Sequence, residues 1–267
     1  MNLNYKRVGH GEPLLLLHGT GSHWPVWLPV LDRLAQDYDV IAVDLPGHGG
    51  SPALAAGDPP PTAAGFARVL RTFLDQLGVT TPHIVGNSMG GWTALELAKI
   101  GQARSVTALC PAGLWRNHTP RYCYASLWAS YYLATLLSPI ARPLTATAVG
   151  RTLILGQVTA RPWQVSASAA AATVANLAHS PGFKAHMRAV ETERFRGGQA
   201  ITVPVTVAWG EKDRILPPSQ THFRAELPTH TRWITLRGCG HVPMSDDPAQ
   251  VVRAIRAGSR IPQLTAS

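Results

Sequence analysis

Short apolar runs recur along the chain at residues 14–17, 40–43, 84–85, 106–110, 205–209 and 233–236. Each is apolar at consecutive positions, whereas a strand with one wet face alternates; consecutive burial is what strands need when helices cover both faces of a sheet. The intervening segments read as helices. In residues 62–77, Phe66, Val69, Leu70, Phe73, Leu74 and Leu77 form one stripe at helical spacing, with Thr62 placed as N-cap and Gly78 as C-cap. Near the carboxyl end, Asp247 and Pro248 suit the N-cap and first turn of a closing helix whose apolar face is Val251, Val252 and Ile255. The pattern predicts an α/β fold: a mostly parallel, doubly wound sheet.

Residues 114–199 break this alternation. They lack a central-strand run, are rich in alanine and aromatic residues, and separate the strand ending at Cys110 from the one near Val205. The expectation is a helical insertion of 114–199 into a core made of 1–113 and 200–267. Charge distinguishes the two parts. The whole chain carries Lys+Arg 24 against Asp+Glu 15, a net +9. The insertion contributes Arg116, Arg121, Arg142, Arg151, Arg161, Lys184, Arg188, Arg194 and Arg196 against Glu191 and Glu193, nine minus two, or +7 of that excess. No nucleic-acid motif or stacking platform accompanies the charge, so a nucleic-acid partner is not expected.

Three cysteines, at 110, 123 and 239, have neither the even count nor the spacing of a disulfide framework or zinc site; they read as reduced thiols, with no metal and a cytoplasmic location expected. Residues 122–141 carry no charge, but Ser126, Ser130, Thr135, Ser138 and Pro139 dilute them, and a buried or surface helix is expected instead of a membrane span. Membrane-surface contact is a possibility the sequence leaves open without favouring it, and oligomeric state is not legible.

The chemistry centres on Gly86-Asn87-Ser88-Met89-Gly90-Gly91, which follows the strand at 84–85 and precedes a helical stretch. A serine in G-x-S-x-G on a strand–turn–helix corner projects its hydroxyl above the sheet. A hydroxyl is a poor nucleophile at neutral pH and needs a base, which needs an orienting acid. Asp213 follows the strand at 205–209 and His241 follows the strand at 233–236, so Ser88, Asp213 and His241 are expected to converge at one sheet edge. Glu211 is the rival acid. Asp246 and Asp247 look like helix caps. The backbone N–H groups of Thr20, in the loop His18-Gly19-Thr20-Gly21, and of Met89 are the expected oxyanion donors. His18, Asp44 and His48 are assigned to structure, and Cys239, without an elbow or a helix N-terminus, to an inert role.

These segments resemble the α/β-hydrolase superfamily: His18 to Gly21 with Trp27, Asp44 to Gly49 with Ser51, Gly86 to Gly91, Gly210 to Asp213 with Pro217, and Gly240-His241, in the family's order. The resemblance implies an eight-stranded sheet, here starting late because little precedes Leu14, a cap domain where the insertion lies, and no cofactor. The elbow and Pro111-Ala112-Gly113-Leu114 resemble carbon–carbon bond hydrolases of dienoic ring-fission products; Val242-Pro243 after the histidine is more similar to ordinary esterases. Epoxide hydrolases and haloalkane dehalogenases carry an aspartate at the elbow, so Ser88 argues against both. The expected activity is a serine carboxylesterase acting on a small-molecule substrate with an apolar acyl or aromatic group. A carbon–carbon bond hydrolase, a membrane-docking lipase and a non-catalytic receptor on the same fold are the alternatives. Gly19, Trp115 and Trp128 are the candidate substrate contacts.

Overall fold

The computed structural model describes residues 1–217 and 223–260. Its strands are β1 (Tyr5–Gly9), β2 (Glu12–Leu17), β3 (Tyr38–Val43), β4 (His83–Asn87), β5 (Ser105–Leu109), β6 (Val205–Gly210) and β7 (Arg232–Leu236). They form one seven-stranded sheet in the order β1-β3-β2-β4-β5-β6-β7. All neighbours pair in parallel except β1, which runs antiparallel to β3 with Tyr5 opposite Val43.

Four consecutive leucines show why the apolar runs are unbroken. Leu15 and Leu17 point into a core shared with Phe66, Leu70 and Phe73 of α2 (Ala63–Gln76) and Trp92 and Leu95 of α3 (Met89–Lys99). Leu14 and Leu16 point the other way, against Leu31 and Leu34 of α1 (Leu28–Leu34) and Val251 and Ile255 of the carboxyl-terminal helix (Pro248–Ser259). Both faces are therefore dry, as a parallel sheet requires. The Thr62 hydroxyl caps α2 by accepting from the Gly65 amide at 3.1 Å.

Two expectations about the sheet need correction. Among the described residues it has seven strands where the resemblance implied eight, and it does not begin at Leu14. β1 escapes an apolar-run search because it is an edge strand: Lys6 and Arg7 are exposed, and Arg7 forks onto Asp39 of β3, Nη2 to Oδ2 at 2.6 Å. Charged edges of this kind keep sheets from pairing with other chains.

Between β5 and β6 the chain is helical: α4 (Arg121–Leu137), α5 (Ala141–Ala146), α6 (Ala148–Leu155), α7 (Ala167–Ala178) and α8 (Phe183–Ala189). Among the described residues no helix is long and apolar enough to cross a membrane. The chain closes with α9 (Pro243–Asp246) and α10 (Pro248–Ser259), the latter capped by Asp247, whose carboxylate accepts from the Gln250 amide at 2.9 Å.

Candidate active site

Ser88 is the single residue between the end of β4 and the start of α3, and its backbone sits at φ 55, ψ −116. A non-glycine residue in this region is strained and persists only where its surroundings force it. Here the surroundings are backbone. A Cβ on Gly86 would lie 2.0 Å from the Gly90 carbonyl oxygen, and one on Gly90 would lie 2.1 Å from that of Leu17, so only glycine lets β4, α3 and β2 meet this closely. The Ser88 amide donates to Leu109 at 2.9 Å, and its carbonyl accepts from Trp92 and Ala112.

Asp213 and His241, in the loops after β6 and β7, meet at 2.8 Å between carboxylate Oδ2 and ring Nδ1. The other carboxylate oxygen accepts from the amides of Ile215 and Leu216 at 2.9 and 2.8 Å. The aspartate thus makes a local turn and holds the imidazole at once. With Nδ1–H donated to Asp213, Nε2 keeps its lone pair. Asn87, beside Ser88, donates from Nδ2 to the His241 carbonyl at 2.9 Å, tying the elbow to the histidine loop. Ser88 Oγ makes no hydrogen bond to His241. Such bonds are commonly long in ligand-free sites and tighten around substrate.

Glu211, the rival acid, accepts instead from the Gly238 amide at 2.8 Å and braces the two loops against each other. Cys110, read from the sequence as a reduced thiol, has its Sγ within 4.8 Å of one potential ligand atom each of Asp213 and His241. The ring nitrogen is committed to Asp213, while burial and the neighbouring carboxylate push the Cys110 thiol well above its ordinary range. A neutral thiol accepting from the Gly210 amide at 3.3 Å therefore packs behind the pair. Burial likewise pushes Cys239 and Cys123 up to about 12, which keeps both unreactive.

The loop from His18 to Gly21 passes directly over the elbow: a Cβ on Gly19 would lie 3.1 Å from that of Ser88. Thr20, Ser88 and Met89 line one cavity, and neither the Thr20 nor the Met89 amide donates to any group among the described residues. His18 braces this loop from within, Nδ1 to the Gly19 carbonyl at 2.8 Å and Nε2 accepting from Leu45 at 2.9 Å. Asp44 gathers Trp24, Gly50 and Asn4. His186 of α8 carried no sequence signal, yet it is buried with Nδ1 donating to the Pro61 carbonyl at 2.7 Å and Nε2 accepting from the Thr20 hydroxyl at 3.1 Å. Burial takes its pKa down to about 3, so the ring is neutral.

Trp92, Trp115, Leu127, Met187 and Ile215 are among the cavity's apolar lining, and among the described residues no side chain of Asp, Glu, Lys or Arg lines it. Trp115 is buried, donating Nε1 to the Glu193 carbonyl at 2.9 Å and meeting Trp92 edge-on. Trp128 is elsewhere: it stacks on Tyr132 and packs edge-on against Phe183, outside the cavity lining. The α4 residues that line the cavity are Cys123 and Leu127.

Asp246 also departs from expectation. It is no helix cap. Its buried carboxylate accepts from the Thr159 hydroxyl and from the amides of Ala160, Arg161 and Gly240, the last three at 3.0, 2.8 and 2.7 Å. The helical insertion is thereby fastened to the residue preceding His241.

The sequence profile of the Alpha/beta hydrolase family matches residues 14–254. The chain is 35% identical over 189 residues, 68% of its length and 87% of the relative's, to Epoxide hydrolase EphH of Mycobacterium tuberculosis. It is 28% identical over 259 residues to the Pimeloyl-[acyl-carrier protein] methyl ester esterase of Xanthomonas oryzae pv. oryzae, covering 93% of this chain and 95% of that one. A meta-cleavage product hydrolase from Pseudomonas fluorescens superposes with a TM-score of 0.70 at 20% identity, over 96% of this chain and 92% of that one. With a parallel sheet, a strained serine corner and a family profile spanning most of its length, this chain belongs to the alpha/beta hydrolase family.

Proposed function

We propose that this hydrolase is a serine carboxylesterase cleaving an uncharged, apolar ester. Ser88 Oγ attacks the carbonyl carbon while His241 Nε2 takes its proton, and Asp213 stabilises the imidazolium. The Thr20 and Met89 amides receive the oxyanion. His241 returns the proton to the departing alkoxide, and water then repeats the sequence on the acyl-enzyme. The observation that carries this reading is the 2.8 Å Asp213–His241 contact, which leaves Nε2 as an acceptor in the loop tied to the elbow.

The elbow serine supports an esterase over an epoxide hydrolase, whose name the Mycobacterium tuberculosis relative bears. An apolar cavity wall with no Lys or Arg among the described residues supports a neutral substrate over the anionic dienoic acids of carbon–carbon bond hydrolases, since a buried carboxylate needs a partner. The helical insertion serves as the cap in this reading, with Leu127 of α4 and Met187 of α8 over the nucleophile. Incubation with a fluorophosphonate probe followed by peptide mapping tests the proposal. Covalent label at Ser88, lost in Ser88→Ala and strongly slowed in His241→Gln, is the expected outcome. Label at another residue, or none, contradicts it.

A further inference from the structure

Between Glu96 and Glu191 the chain contains no aspartate or glutamate, and among the described residues no cation from Arg116 to Arg188 makes an ion pair with a carboxylate, Arg161 only lying close enough to Asp247 to help lower its pKa. The same stretch holds most of the molecule's exposed apolar surface. Of the eleven large hydrophobic side chains left exposed among the described residues, eight lie from Tyr122 to Trp163. They follow helical spacing: Leu133, Leu136 and Ile140 along the end of α4 and the turn after it, Val149 and Leu153 one turn apart on α6. Leu136, Val149 and Leu153 are 74%, 70% and 76% exposed, far beyond what a helix facing water normally shows.

These residues are not a core waiting for a fold change. Ala134 of α4, Ala141 of α5 and Val174 of α7 already bury one another, with Ile154 of α6 packed against them, so the leucines are on the outward sides of their helices. The unit is also braced. Arg151 of α6 donates to the carbonyls of Thr145, Ala146 and Trp163, tying the backbone of Trp163 to the helix that presents Val149 and Leu153. Arg142 and Arg161 are exposed within two residues of Ile140 and Trp163.

We propose that this outer face of the insertion docks on an anionic lipid bilayer. Aliphatic and tryptophan side chains entering the headgroup region while arginines meet lipid phosphates is the composition such a surface selects. A nucleic-acid backbone would use the arginines and gain nothing from the leucines. A second copy would bring two cationic faces together without an acid to offset them. The sequence located the charge and left membrane-surface contact open without favouring it, because which apolar residues stay outside is decided only by packing.

Docking is independent of the esterase reading, and its test uses the full chain carrying Ser88→Ala so that lipid is not consumed. Flotation is measured with vesicles of phosphatidylcholine, with and without about 30% phosphatidylglycerol. The expected result is partitioning at least about tenfold stronger with the anionic lipid, falling about tenfold as salt rises from about 0.05 to about 0.5 M. Leu136→Ser with Leu153→Ser, and separately Arg142→Gln with Arg161→Gln, should each lower binding by about tenfold while leaving the melting temperature unchanged. Binding that ignores lipid charge, persists in both double variants, or fails altogether overturns the proposal. So does a stable dimer in sedimentation that the leucine pair dissociates.

Discussion

The carboxylate of Asp213 is held by two amides as well as by His241, so its exact chemistry matters more than its mere polarity. In Asp213→Asn the amide group must turn its NH2 either toward the two backbone donors or toward Nδ1, and either choice spoils the tautomer that leaves Nε2 free. A fall in kcat of about 10³- to 10⁴-fold on an aryl ester is expected, with a small stability loss. Glu211→Gln, two residues away, removes only a loop brace and should leave kcat within about twofold. Equal kcat losses in the two variants would mean that the acid has been misassigned. Both residues were visible in the sequence as acids after a strand; only the direction of each side chain, which backbone hydrogen bonds decide, separates them. Trp128 shows the same limit, since spacing on α4 cannot say that Cys123 and Leu127 line the cavity with Ser88 while Trp128 fills the cluster with Phe183.

Unbroken apolar runs revealed the central strands because each is buried on both faces, and Thr62 and Asp247 were recognisable caps because capping is a local interaction. β1 was hidden because an edge strand keeps its charges, and the role of Asp246 was hidden because its partners Thr159, Ala160 and Arg161 lie more than eighty residues away. That carboxylate joins the stretch from Thr159 to Arg161 to the amide of Gly240, just before the histidine. Asp246→Ala leaves the Ala160 and Gly240 amides without an acceptor, while the Arg161 amide keeps the Thr159 hydroxyl at 3.2 Å; each orphaned donor costs about 1–3 kcal/mol. The variant should melt lower, be cleaved faster by protease between α6 and α7, and lose kcat as His241 loosens. Unaltered proteolysis with a lowered melting temperature would show that the latch is not what fastens the insertion.

Across the whole molecule, His18, His48 and His186 are buried, and burial is the largest cause lowering the pKa of each below 6.5, to about 3 for His186. In the unfolded chain all three take up protons near 6.5, while in the folded protein they take them up only at lower pH. The unfolded state therefore binds more protons as pH falls, and folding loses stability below about 6.5, for His186 by up to about 1.4 kcal/mol per pH unit. For His186 the loss runs from about 6.5 down to about 3, and above about 7.5 the contribution is complete. Melting temperatures should fall steadily between about pH 7 and about pH 5, and His186→Gln should flatten that slope. A flat profile over this range would contradict it. The same three rings pack around the loop from His18 to Gly21 and the turn beside it, so acid should disturb the candidate site together with the fold.

Turnover of a p-nitrophenyl ester by Ser88→Ala, beside the unaltered protein and at matched melting temperature, bears most directly on the hydroxyl at the strained corner. A drop of about 10⁴-fold or more is the predicted result. Undiminished hydrolysis by a folded Ser88→Ala protein would contradict the assignment of the nucleophile.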